Sequence, residues 1–174
     1  MLSILILGWI VYSIYYSVKR GFKLETIVFI GYLLAGVASC ILSRLFWRSF
    51  SLYIPYSAVT NEDPLYFYPQ VHVFKIENSF YKIICFLIFY IILCLIVRFL
   101  EVFIKQFLIT EGSPYLTIIT GIMGFIVASF WSYLLVSALA MIPFSSFQQP
   151  LKHSILVNFL IKGPFGWIFN HLWF

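Results

Sequence analysis

The residues whose types and spacing offer the most chemistry lie close together: Lys19, Arg20, Gly21, Phe22 and Glu25. A carboxylate that opens a helix meets the positive end of the helix dipole. Glu25 could also pair with Arg20 across a turn, and Gly21 supplies the backbone freedom that a sharp reversal needs. The plainer reading is a helix cap plus a basic membrane anchor. Other candidates are weaker. His72, His153 and His171 are dispersed, and no two have metal-ligand spacing. Cys85 and Cys94 would point about 180° apart on one helix, so they share neither a metal nor a disulfide there. With Cys40, they read as small hydrophobes within apolar runs. Ser39, Ser129 and Ser132 lie in apolar runs too, where a hydroxyl more often bonds to backbone or a neighbouring helix than acts as a nucleophile. There is no phosphate-cradling glycine loop, HExxH, nucleophile elbow or CxxC. The expectation is therefore no enzyme, no metal and no cofactor.

The elements that position these residues follow from composition. Of 174 residues, 63% are hydrophobic and 10% charged, with a mean hydropathy of +1.01. A soluble chain carries about 25% charged residues, so this one must use lipid as part of its solvent. Disorder is excluded, because it needs low hydrophobicity and high charge. The net charge of +5 sits beside apolar runs. It implies anchoring at anionic head groups rather than nucleic-acid binding.

Four spans are predicted over residues 2–18, 24–46, 80–97 and 115–142, as a single all-α domain covering 1–174. The fold class is a polytopic membrane protein, a compact helical bundle with interfacial segments in the second loop and the C-terminal tail. The first span resembles a signal peptide in its apolarity. No basic residue precedes Lys19, however, and Tyr15 and Tyr16 stand where a small-residue cleavage site would fall. It reads as a retained span. The stretch from Trp47 to Ser79 holds Pro55, Pro64 and Pro69 and the polar run Thr60, Asn61, Glu62, Asp63. Its many aromatics predict a loop lying in the interface or folded onto helix ends. An amphipathic extension is expected over 98–109, where Glu101 precedes Lys105 by one helical turn and favours a local ion pair. Thr110 to Pro114 form the next joint. In the tail, 143–174, Ile155, Phe159 and 161–167 are expected at the interface, anchored by Trp167, Trp173 and Phe174. Lys162, Gly163 and Pro164 argue against a fifth span.

Two small-residue faces stand out. Gly31, Ala35 and Ala38 fall on one side of the second span, and Gly121, Gly124 and Ala128 on one side of the fourth. Such faces let helices approach closely and gain van der Waals contact that lipid does not supply. They predict a compact bundle, or contact between copies. No charge falls at the centre of a span, which argues against a proton pump or coupled transporter built from one chain.

Lys19-Arg20-Gly21-Phe22, then Glu25 and a Gly/Ala-rich second span, resemble the start of the colicin V production protein (CvpA) family. A longer second loop and Gly121 and Gly124 in the fourth span agree. Leu52-Tyr53-Ile54-Pro55-Tyr56 and Ile142-Pro143-Phe144 look like its Gram-positive, lactobacillus-type branch. The resemblance implies a bacterial cytoplasmic membrane protein tied to toxin production, export or envelope maintenance. It defines no catalytic residues. The expected partners are the bilayer and either further copies of the chain or a membrane or export protein. The alternative is a subunit of an oligomeric pore or transporter. Both termini are expected outside the cytoplasm. The basic residues number five on the inner side and six on the outer, so the count does not decide. Lys19, Arg20 and Lys23 crowd the turn after the first span, and residues nearest that span weigh most.

Overall fold

The computed structural model describes residues 2–54, 65–68, 73–107, 114–142 and 145–173, and every regular element among them is an α-helix. Four helices are long and apolar enough to cross a membrane: α1 (Leu2–Arg20), α2 (Phe22–Ser51), α3 (Val73–Lys105) and α4 (Pro114–Ala140). Three short ones follow: α5 (Ser145–Lys152), α6 (Ile155–Lys162) and α7 (Pro164–Trp173). The chain is a multi-pass, all-α membrane protein. Pro55, Tyr56, residues 60–64, Pro69, His72, residues 110–113, Pro143, Phe144 and Phe174 lie outside the described residues, as do the side chains of His171 and Trp173.

α2 and α3 are longer than the predicted spans. Nothing in 47–51 breaks a helix, so α2 carries on to Ser51, and α3 begins at Val73 rather than near Phe80. At about 1.5 Å per residue each exceeds a hydrocarbon layer of about 30 Å. Their ends therefore reach into the head-group zone. Trp47 marks that level, with Arg48 5.4 Å and Lys82 5.9 Å from its ring centre.

The bundle is two pairs. α2 packs most extensively on α3, and α1 on α4. α1 and α2 are joined by Gly21 alone, whose φ of 81° and ψ of 158° fall where side chains are essentially excluded. The described part of the long loop folds back on the bundle: Leu65 and Tyr68 are buried. Burial pushes the Tyr68 hydroxyl above the ordinary tyrosine range, so it stays neutral.

The tail departs from a purely interfacial segment. Ile155, Phe159 and Trp167 do face outward, but Val157, Leu160 and Ile161 are buried, and α6 packs against α4 and α1. Ser154 caps α6 by accepting from Val157 N–H, and its hydroxyl lies 2.7 Å from that of Ser3 on α1. Gln148 of α5 donates to the carbonyls of Ala140 and Ile142, satisfying acceptors that the end of α4 leaves open. α7 lays Phe169 against Phe130 and Tyr133 of α4. Two short helices broken at Gly163 thus pack one side each on the bundle.

Candidate functional site

Where α1, α2 and α3 meet at the Gly21 end of the bundle, four charged side chains converge. Arg20 closes α1, Glu25 opens α2, and Arg98 and Glu101 lie near the end of α3. Arg20 Nη1 donates to Glu25 Oε2 at 2.8 Å. Ser17 Oγ donates to Glu25 Oε1 at 2.9 Å. Arg20 Nε lies 2.8 Å from Glu101 Oε1, with its N–H not aligned on that oxygen. Arg98 Nη1 donates to Glu101 Oε2 at 3.2 Å. All four carboxylate oxygens therefore have a donor group nearby. Three of the ionic side chains are nearly enclosed, with exposures of 7% for Arg20, 1% for Glu25 and 10% for Glu101, while Arg98 is 44% exposed.

Tyr16 stands between the two guanidinium groups, its ring centre 4.4 Å from Arg20 and 5.2 Å from Arg98. A ring face attracts cations, and more strongly where water is excluded. The quartet is neutral in formal charge, which lowers the cost of burying it at the edge of the hydrocarbon.

Glu101 turns away from the partner that helical spacing favours. It meets Arg20 across the helices and Arg98 one turn back on α3, and the enclosed pair with Arg20 outweighs an exposed local one worth about 0.3 kcal/mol. The other joint residues divide by environment. Lys19 is exposed, and Phe22, the first residue of α2, is half-buried.

Both small-residue faces are used inside the chain. A Cβ on Gly31 would lie 2.8 Å from a Val97 methyl on α3, and one on Gly124 would lie 2.8 Å from Ser17 Cβ and 3.1 Å from the Ser13 carbonyl on α1. Ala35 and Ala128 are buried, and Ala38 is half-buried. Gly121 is looser, with Ile14 and Val18 methyls at 3.6 and 3.7 Å from such a Cβ. Sequence reasoning missed Ser13, Ser17 and the role of Glu101. The serines carried a signal: they stand one helical turn apart on α1, a small polar stripe facing Gly124. Among the described residues, no three His, Cys, Asp or Glu side chains come together as a metal site.

Four apolar helices, closed by small-residue contacts and one buried ionic cluster, define a polytopic integral membrane protein. The family model of the colicin V production protein matches residues 2–164, so nearly the whole described bundle falls within one family. The chain belongs to the colicin V production protein family. No curated protein and no solved structure matches it significantly.

Proposed function

We propose that the protein is a non-catalytic component of a bacterial cytoplasmic membrane that supports colicin V-type toxin production, export or envelope maintenance. It acts as a rigid platform on which further copies or an export partner assemble. The observation that carries this reading is the ionic quartet, which ties three helices together and satisfies its own carboxylates. Three buried hydroxyls follow the same inward pattern. Ser39, Thr120 and Ser132 each donate to a carbonyl one turn back on their own helix. This arrangement supports a scaffold over a pore, which needs a polar wall left open for water or ions. The sequence runs Leu52-Tyr53-Ile54-Pro55-Tyr56 and Ile142-Pro143-Phe144 support placing the chain in the Gram-positive, lactobacillus-type branch.

In a strain lacking the gene, the wild-type chain is expected to restore toxin secretion. The purified protein in a planar bilayer is expected to leave conductance at baseline. Ion currents that scale with protein concentration would replace the scaffold with the pore.

In the proposed orientation both termini lie outside and the Gly21 turn faces the cytoplasm. In a background free of Cys40, Cys85 and Cys94, Asn61→Cys is expected to react with a membrane-impermeant maleimide on intact cells. Gly112→Cys is expected to react only after lysis. The opposite labelling pattern inverts the orientation.

A further inference from the structure

α1 and α3 pack on different partners, and a lateral cleft of about 390 Å³ opens between them, floored by α2 and α4. The cleft is two-ended. Toward the middle of the membrane its walls are Trp9, Ile91, Leu95 and Leu135, all exposed to the surrounding lipid. At the Gly21 end they are Tyr16, Arg20 and Arg98.

The hydrogen-bond inventory at the charged end is lopsided. Each carboxylate oxygen of Glu25 and Glu101 already has a donor group within 3.2 Å. Arg20 Nη2 is buried and makes no hydrogen bond among the described residues. Arg98 uses Nη1 on Glu101 and keeps the rest of its fork at the mouth of the cleft, 44% exposed. The Tyr32 hydroxyl lies near Arg20 in the same cleft, and the exposed Arg98 fork keeps donors to spare. A buried donor without a partner costs free energy, and a guanidinium fork matches the oxygens of a phosphate.

The apolar end has a matching length. Trp9 and Arg20 lie on the same helix, separated along its axis by roughly 16 Å at 1.5 Å per residue. That is about half of a 30 Å hydrocarbon layer, the depth of one leaflet. An amphiphile whose phosphate sits at Arg98 would therefore run its acyl chain past Leu95 and Ile91 to the level of Trp9. The exposed Lys19 and Lys23 at the same end concentrate anionic lipid around the mouth.

From these observations we infer that the cleft between α1 and α3 is a binding site for one anionic phospholipid, with its phosphate accepting from the exposed guanidinium of Arg98, the enclosed Arg20 adding its charge from behind, and its acyl chain lying along Leu95 and Ile91. This binding is read on purified protein, so it stands or falls separately from any role in toxin secretion.

The test titrates the detergent-purified, delipidated full chain with phosphatidylglycerol, with diacylglycerol of the same acyl chains, and with inorganic phosphate, following thermal unfolding. Phosphatidylglycerol is expected to raise the midpoint saturably, and the other two to leave it unchanged. Arg98→Gln is expected to weaken the apparent affinity about tenfold, the loss of one charge-assisted hydrogen bond. Leu95→Trp, which fills the apolar end and leaves the ion pairs in place, is expected to weaken it at least as much and keeps the test valid if Arg98→Gln folds poorly. An equal rise with diacylglycerol would make the cleft a plain apolar groove. An equal rise with inorganic phosphate would make it a free anion pocket. No rise with phosphatidylglycerol, or unchanged affinity in both variants, would also overturn the site.

Discussion

Arg20→Ala is expected to destabilise the bundle by about 3–5 kcal/mol, the cost typical of removing one partner from a buried ionic cluster. The variant leaves Glu25 and Glu101, both nearly enclosed, without the cation that stands between them. Two facing carboxylates then either stay charged and repel or take up a proton, and each outcome costs free energy. Thermal unfolding in mild detergent measures the loss. A second variant separates charge balance from packing. Arg20→Met combined with Glu25→Leu and Glu101→Leu removes the buried charges together and is expected to recover most of the lost stability, because well-packed apolar replacements avoid the desolvation penalty. Arg98 is exposed enough to reach water without Glu101. If the charges serve only folding, the triple variant restores toxin secretion along with stability. A stable triple variant that stays defective in secretion gives the cluster a functional role. An Arg20→Ala protein as stable as wild type would mean that water already satisfies the carboxylates.

Gly124→Leu is expected to force α1 from α4 and to lower stability by more than the about 1–3 kcal/mol usual for overpacking. The first added carbon would stand 2.5 Å from Ser17 Oγ and 3.1 Å from the Ser13 carbonyl. A backbone carbonyl within a helix cannot rotate aside, so the helices themselves must move. Displacing Ser17 also removes the donor on Glu25 Oε1, coupling the clash to the ionic cluster. Gly124→Ala should show a smaller loss. Gly121→Ala should be near neutral, since its Cβ meets only methyls at ordinary contact distance. Unfolding midpoints of the three variants test this order. Equal midpoints for Gly124→Leu and wild type would show that the two helices do not touch.

What was legible in the sequence is what depends on near neighbours. The spans follow from hydropathy because lipid punishes each exposed polar group locally. The Arg20–Glu25 pair was legible as an option because a glycine turn brings the two ends together. The Arg20–Glu101 pair was not, since that depends on how α3 docks on the α1–α2 turn, and the sequence rule applied to Glu101 pointed to Lys105. The packed side of the tail was hidden in a similar way. Lys162, Gly163 and Pro164 interrupt the tail, and they hide the apolar spacing of Val157, Leu160 and Ile161. That spacing is the trace of a face packed onto the bundle. The small-residue stripes at Gly31 and Gly124 were visible, and the neighbours they admit, Val97 and the two serines, emerge only from the packing.

The pairing of α1 with α4 sets a schedule for the ribosome and the insertion machinery. The first span enters the membrane carrying Ser13, Ser17 and Arg20, while the helix it packs on most extensively is the last of the four to be made. Glu25 follows soon after and can neutralise Arg20 early. The serine stripe has to wait in lipid until residue 124 arrives. An interrupted chain that stops before α4 therefore displays an unfinished helix surface, open to misassembly with other helices.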